Sequence, residues 1–353
     1  MKVTTKKATM TNKERVEAVL RREEPDRVPN WPFIIRNFAM VYSGGSVADA
    51  YIVEGKVAYE AEKKACQDFD WVFAPALTAW RGSGSRILVP PSQNPKPAFE
   101  KVPTKTADEV LALPAIDAKR HITPELIDFA RRVYQDNDDN KPLVTIGGLG
   151  VVNTAGGITG YTNLCKWMLQ RPEVAHHALR LAADYQIEAA QYCKDLFGVD
   201  GVMPAGANGA ASVISPKHFE QFCLPYLKET HQEIMAMGFK HLRQHPCGDQ
   251  NRYLPYWQQI PLGDPGIVWV GNEMDLTKAA QYFPNDIIAG NLNSVLIQTG
   301  SPDEVYQAAR KVIEQGKSLA TGFIFAPACE LPPLAPVENL MAITRAINDF
   351  GWY

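Results

Sequence analysis

His245 and Cys247 in the stretch His-Pro-Cys-Gly-Asp, with Cys329 in Ala-Pro-Ala-Cys-Glu-Leu-Pro-Pro, are the side chains of this sequence best suited to chemistry. One imidazole and two thiolates make a ligand set that zinc favours, because thiolate sulfur suits a borderline-soft ion. Structural zinc sites usually take all four ligands from the protein, often as two close pairs, whereas three ligands with an exchangeable fourth position is a catalytic arrangement. Cys329 lies 82 residues beyond Cys247, so the fold has to bring them together and a local zinc knuckle is disfavoured.

A ligand set assembled over such distances needs a rigid scaffold, and the hydropathy pattern supplies one. Eight strand-like runs are expected near Val28, at Phe69 to Pro75, Pro142 to Gly147, Val199 to Pro204, Phe239 to Gln244, Ile267 to Gly271, Asp286 to Ala289 and Gly322 to Pro327, mostly followed by helix. This is the pattern of an α/β fold of the (β/α)8 TIM-barrel type, and it puts His245, Cys247 and Cys329 just past strand C-terminal ends, where catalytic groups converge. The rival is a doubly wound open sheet. No Gly-x-Gly-x-x-Gly between a strand and a helix supports it, and the Gly-rich loop expected at 147–160 lacks a phosphate-loop ending.

Further polar groups share those strand ends. Glu273 is a candidate ligand or proton relay, against the plainer reading of an acid at a helix start. Asn291 and Asn293 follow the strand ending at Ala289. Asp249 is either an acceptor for the metal-bound imidazole or, the favoured reading, a helix cap. Trp31, Phe33, Phe38, Tyr42 and Trp80 are candidates to line a pocket for a flat apolar substrate, with core packing as the alternative. The adjacent His176 and His177 point about 100° apart on a helix and read as surface.

The remaining chain frames the barrel. Residues 1–10 are expected to be a flexible tail, with one domain from 11 to 353 opened by a helix capped at Thr11. Helices are expected at Val47 to Gln67, Thr123 to Tyr134 and Tyr161 to Phe197. A capping box opens a short helix at Thr106, and residues 81–103, rich in Pro, Ser and Gly, read as an excursion such as a hairpin. With 46% apolar residues and a net charge of −3, the composition supports a sizeable core and gives no support for a nucleic-acid partner. No apolar run approaches the roughly 18 residues that span a bilayer, and no hydrophobic signal core opens the chain, so a cytoplasmic protein without a membrane partner is expected. Of six cysteines, Cys66, Cys165, Cys193 and Cys223 read as reduced, small buried hydrophobes.

His-Pro-Cys-Gly-Asp, Ile-Ala-Gly-Asn-Leu-Asn-Ser-Val-Leu and Gly-Phe-Ile-Phe-Ala-Pro-Ala-Cys-Glu-Leu-Pro-Pro, followed by Pro336-Val-Glu-Asn-Leu, resemble the uroporphyrinogen decarboxylase superfamily. More narrowly, they are similar to its zinc-dependent, corrinoid-linked methyltransferases. The resemblance runs from Asn12-Lys-Glu-Arg-Val onward and implies a (β/α)8 barrel with His245, Cys247 and Cys329 as zinc ligands. By likeness to cobalamin-independent methionine synthase, it offers Glu273 as a fourth. The Arg-Gln-Ala-Gly-Arg segment that clamps porphyrin carboxylates in the decarboxylases is replaced by Arg36-Asn-Phe-Ala-Met-Val. No Asp-x-His-x-x-Gly corrinoid signature is found, which implies a corrinoid (cobalamin) on a separate, transiently bound protein. The aromatic N-terminal segment favours demethylation of an aryl methyl ether, with methylation of a coenzyme M-like thiol as the alternative. A metal-free decarboxylase-like enzyme and a non-catalytic zinc scaffold are the remaining readings.

Overall fold

In the computed structural model the described residues are 8–33, 35–49, 55–74, 76–78, 86–88, 98–120, 127–128, 131–132, 144–147, 150–208 and 213–353. The first half runs α1 (Asn12–Leu20), α2 (Arg36–Tyr42), α3 (Gly55–Phe69), β1 (Ala76–Thr78), β2 (Arg86–Leu88), β3 (Ala98–Lys101), α4 (Ala107–Leu111), β4 (Val144–Gly147), α5 (Gly150–Thr159), α6 (Tyr161–Gln170) and α7 (Pro172–Phe197). It continues with β5 (Val202–Ala207), α8 (Leu224–Ala236), β6 (Arg243–His245), α9 (Leu254–Trp257), β7 (Ile267–Trp269), α10 (Leu276–Tyr282), β8 (Ile287–Leu292), α11 (Ser294–Thr299), α12 (Pro302–Lys317), β9 (Phe323–Pro327) and α13 (Val337–Phe350).

Seven strands form one parallel sheet in the order β1-β4-β5-β6-β7-β8-β9, while β2 and β3 pair antiparallel as the hairpin expected of the Pro-rich excursion. The eighth member is the run near Val28. Trp31 N–H donates to Phe325 O, Phe325 N–H to Pro29 O, and Val72 N–H to Asn30 O, so this segment is tied to β9 on one side and to the approach to β1 on the other. The ring of a (β/α)8 barrel is closed in this way. The closure is two parallel bridges, Asn30 to Phe325 and Phe33 to Glu330, and no continuous ladder, because Pro29 and Pro32 have no N–H to give.

Alternate residues of the strands fill the interior. Ile267 and Trp269, Ile287 and Ala289, and Ile324 and Ala326 pack with Trp31, Phe33 and Val72, and Val16, Val19 and Leu20 of α1 join the same cluster. The other face of the sheet carries a larger cluster shared with the helices, so β7, β8 and β9 are buried along their whole length. Both sequence-derived caps are present: Thr11 with Glu14 and Thr106 with Glu109 form capping boxes.

Three element boundaries differ from the sequence reading. The apolar run at Phe69 is the end of α3, where Phe69 packs into the core, and the chain reverses at Asp70 (φ 57°) before β1 begins at Ala76. The Gly-rich stretch after β4 is helix α5 from Gly150. At Gly156 a Cβ would come within 2.4 Å of the Tyr161 ring, so the missing side chain lets α5 and α6 meet closely instead of loosening the backbone. Of the helix expected at Val47 to Gln67, Asp49 and Gly55–Phe69 are helical and the residues between them lie outside the described ones, as does most of the helix expected at Thr123 to Tyr134. Strand β6 starts at Arg243 and takes in His245 itself. No helix among the described residues is long and apolar enough to cross a membrane.

Candidate metal centre

Strand β6 alternates its side chains, so Arg243 and His245 share the inward face while Gln244 points outward. His245 is 1% exposed, and its Nδ1 lies 2.9 Å from the carbonyl oxygen of Trp269 on β7. A carbonyl only accepts, so Nδ1 carries the proton and the Nε2 lone pair is left free; Nε2 is buried without a hydrogen-bond partner among the described residues. The backbone fixes the tautomer here, as it does for many metal-binding imidazoles. Asp249 has no part in this: it is exposed and accepts from the N–H and side-chain amide of Asn251.

Cys247 sits in the loop directly after β6, where Gly248 turns the chain at φ 79°. Gln250, fully buried, donates to Cys247 O at 2.7 Å and accepts from the Trp257 indole at 2.8 Å, which braces the loop against α9. Cys329 follows β9 and is held on both sides. Ala328 N–H donates to Leu292 O, Leu331 N–H donates to Phe33 O, and the Asn37 amide donates to Glu330.

These elements bring Cys247 Sγ and Cys329 Sγ to 3.7 Å, and the ligand atoms of His245, Cys247 and Cys329 all lie within 4.8 Å of one another. Two sulfurs on one tetrahedral ion, each bonded at about 2.3 Å, stand about 3.8 Å apart, so the pair already has the spacing of one edge of such a site. The two thiols divide their protons unequally. Hydrogen bonding from Cys247, with the nearby His245 imidazole, pulls Cys329 down against the opposing effect of burial. The same hydrogen bond, burial and the charges of Cys329 and Glu273 push Cys247 up. Elsewhere burial raises Cys66, Cys165, Cys193 (to about 12) and Cys223, which leaves them protonated; Cys165 alone of these is only partly buried.

Residues 11–350 match the family described as Uroporphyrinogen decarboxylase (URO-D). The chain belongs to the uroporphyrinogen decarboxylase family. Within it, the chain is 28% identical over 229 residues to a methylated-thiol–coenzyme M methyltransferase of Methanosarcina mazei, a match covering 63% of this chain and 56% of that protein. It is 22% identical over 265 residues to a methylcobamide:CoM methyltransferase of Methanosarcina barkeri, covering 73% of each. A solved methyltransferase structure from Methanosarcina mazei superposes with a TM-score of 0.77 over 97% of this chain and 99% of that one, at 20% identity, which establishes the shared barrel.

The other residues singled out from the sequence of this family member are placed as follows. Glu273 is exposed on the turn after β7 and stands outside the three-atom cluster, though near enough for its charge to act on Cys247. Asn291 donates to Gly271 O at 3.1 Å and to Met274 O at 2.7 Å, so its amide clamps the turn that carries Glu273. Asn293 caps α11. Truncation in Asn291→Ala removes two buried hydrogen bonds, and urea unfolding is expected to show a loss of about 2 kcal/mol; an unchanged midpoint would mean the clamp contributes nothing. Trp31 is 2% and Phe33 5% exposed. Phe33 tilts against His245 with ring centroids 4.8 Å apart, and both rings pack beside Trp269. Phe38 and Tyr42 pack with Phe69 in the outer layer between α2 and α3, and Trp80 lies outside the described residues. His176 is half-buried beside Tyr226, not a surface group.

Sequence reasoning missed Arg243, Gln250 and Trp269. Arg243 left a signal that could have been read: a cation two residues before a strand histidine must share its face.

Proposed function

We propose that the chain moves a methyl group between a small thiol and the cobalt of a corrinoid carried by a separate protein, with zinc held by His245, Cys247 and Cys329. The observation that carries this is the pair of sulfurs 3.7 Å apart beside a buried imidazole whose Nε2 has no hydrogen-bond partner among the described residues. Soft ligands in that number suit zinc, and the names of the relatives, one of a methylated thiol and one of methylcobamide and CoM, point to thiol and corrinoid chemistry. When bound, zinc would supply Lewis acidity that lowers the pKa of a thiol while two cysteinates keep the sulfur electron-rich. The protein's own groups do the rest. Trp269 O and Phe33 hold His245 in register, the Asn291 clamp holds the turn that carries Glu273, and Glu273 would take the thiol proton or serve as an exchangeable fourth ligand.

A carrier protein has to approach the barrel end where the ligands sit. Val213 after β5, Val295 after β8, and Leu334, Val337 and Met341 after β9 are exposed apolar side chains on segments leaving that end, which suits a transient protein contact. The aryl ether reading rested on the N-terminal aromatics, and the burial of Trp31 and Phe33 beside Arg243 withdraws that support.

The test is to give zinc-loaded protein methylcobalamin with 2-mercaptoethanesulfonate, and separately Co(I) cobalamin with methoxybenzenes. The expected result is methylation of the thiol with loss of the methylcobalamin spectrum, and no ether cleavage. Demethylation of an ether without thiol methylation would reverse the reading, and turnover of neither would leave a metal-binding scaffold.

A further inference from the structure

Behind the ligand-bearing end of β6, between the outer face of β5 and β6 and helices α7 and α8, lies a cavity of about 30 Å³. Gln186 of α7, Thr230 and His231 of α8, Gly206 of β5, and Asn208 and Gln244 contribute to its lining. The function proposed above makes no use of it. Asn208, Thr230 and Gln244 are 1%, 3% and 1% exposed. Even so, Asn208 Nδ2, Thr230 Oγ1 and both amide atoms of Gln244 have no hydrogen-bond partner among the described residues.

The backbone makes room for this polar group. Gly206 pairs with Gln244 across β5 and β6, and a Cβ at Gly206 would come within 2.8 Å of Gln244 Oε1, so the missing side chain is what the amide needs. Asn208 Oδ1 is already engaged, accepting from Val152 N–H at 3.3 Å near the start of α5, which leaves Nδ2 as the donor still to be matched. His231 Nδ1 donates to Pro261 O at 2.9 Å, and burial keeps the ring neutral; it lies near Gln244 without hydrogen-bonding geometry. Buried amide and hydroxyl groups left without partners are unfavourable, and a small uncharged molecule that both donates and accepts would complete all of these. A buried water takes two to four polar partners and about 10–15 Å³, so the cavity has room for about two. The route from here to the metal centre is the main chain. Gln244 precedes His245 directly, Asn208 N–H donates to His245 O at 3.0 Å, and Ala207 opposite His245 is the last paired position of β5 and β6.

We infer that this cavity is a built site for a small water cluster held by Asn208, Thr230 and Gln244, and that Gln244, anchored in it, is a positioning residue that fixes the strand end carrying His245. Gln244 acts through the backbone, on the opposite face of the sheet from the sulfurs, and touches neither substrate nor metal. The positioning role rests on the reading of His245 as a zinc ligand; the water site does not, and the test separates the two.

A high-resolution crystal structure of the wild type is expected to show about two ordered waters within hydrogen-bonding distance of Asn208 Nδ2, Thr230 Oγ1 and the Gln244 amide. A cavity without density, or one filled by another molecule, would overturn the water site. Thr230→Val, nearly the same in shape, gives the sign in solution. If water completes the hydroxyl, the substitution loses that bond and the thermal midpoint falls by about 1–2 °C. If the hydroxyl is unpaired, the substitution relieves a penalty and the midpoint rises, which would count against hydration. Gln244→Met keeps the length of the side chain and removes its amide. It is expected to weaken zinc binding about 10-fold, read by competition with a chromophoric chelator, while Thr230→Val, which alters the cavity from the helix side, stays within about twofold of the wild type. Unchanged zinc affinity in Gln244→Met would overturn the positioning role, and equal losses in the two variants would reduce it to general stability. A wild type that binds no zinc would overturn the metal reading and the positioning role together, with the water site decided by the crystal structure and by the sign of the Thr230→Val shift.

Discussion

Replacing Cys329 with alanine is expected to strip the protein of zinc: about one ion per chain in the wild type, and less than a tenth of that in the variant after dialysis against a weak chelator. The three ligand atoms come from two strand ends and lie within 4.8 Å of one another, so each is a large share of a small set. Altering a group that merely orients a ligand typically costs 10–100-fold in metal affinity. Deleting a ligand sulfur outright should exceed that, at about 10³-fold or more, which is about 4 kcal/mol at 1.4 kcal/mol per decade. Cys247→Ala should behave alike, because its sulfur is the other end of the same 3.7 Å edge. Cys66→Ala is the control. Cys66 is buried, its thiol is pushed well up by burial, and its sulfur lies near the Val72 carbonyl, so its loss should leave zinc untouched. Full zinc in both Cys247→Ala and Cys329→Ala, measured by elemental analysis, would sink the metal assignment.

How far the sequence led is seen best at particular residues. The barrel was legible because β7, β8 and β9 are buried on both faces and so read as unbroken apolar runs. The clustering of His245, Cys247 and Cys329 was legible because His-x-Cys and a distant Cys each fell at the end of an expected strand. Phe69 misled because a core residue at the end of an amphipathic helix looks, in a short window, like the start of a strand. The stretch Gly150–Thr159 misled because glycine lowers intrinsic helix propensity, and only the neighbouring Tyr161 ring shows why glycine is needed. Asn291 was a catalytic candidate from its place at a strand end, and the aromatics were candidates for the substrate pocket from their type. What fixes their surroundings is long-range: Asn291 reaches carbonyls 17 and 20 residues away, and Trp31 meets Trp269 across the barrel. No local pattern carries such contacts.

The segment that closes the barrel begins at Asp26, and Asp26→Asn is expected to destabilise the protein by about 3 kcal/mol. Arg15 of α1 is 2% exposed and gives its Nε to Asp26 Oδ1 at 2.7 Å and an Nη to Oδ2 at 3.2 Å, while the Thr9 and Met10 amides donate to Oδ2 as well. Breaking a buried pair from one side costs about 3–5 kcal/mol because the remaining charge is left uncompensated. The low end applies here, since Arg15 keeps the Asn12 side chain as an acceptor at 2.8 Å. The same pair sets a pH dependence. Burial pushes the Asp26 carboxyl up, but Arg15 and the two backbone amides outweigh it and hold the group at about 2, against 3.8 ordinarily. A carboxyl whose folded pKa is depressed adds stability that is complete above the unfolded value and disappears as pH falls through the folded one. Wild-type stability should therefore fall by about 1–2 kcal/mol on this account between pH 4 and 2, once partial exposure is discounted. In Asp26→Asn that slope should flatten, and zinc content at neutral pH should not change, since no ligand is touched. The comparison is Asp264→Asn, whose partner Arg22 and own side chain are 45% and 89% exposed; that pair is screened by water and its loss should not move the urea midpoint measurably. Equal effects from the two substitutions would mean that burial of Arg15 is not what gives the pair its strength.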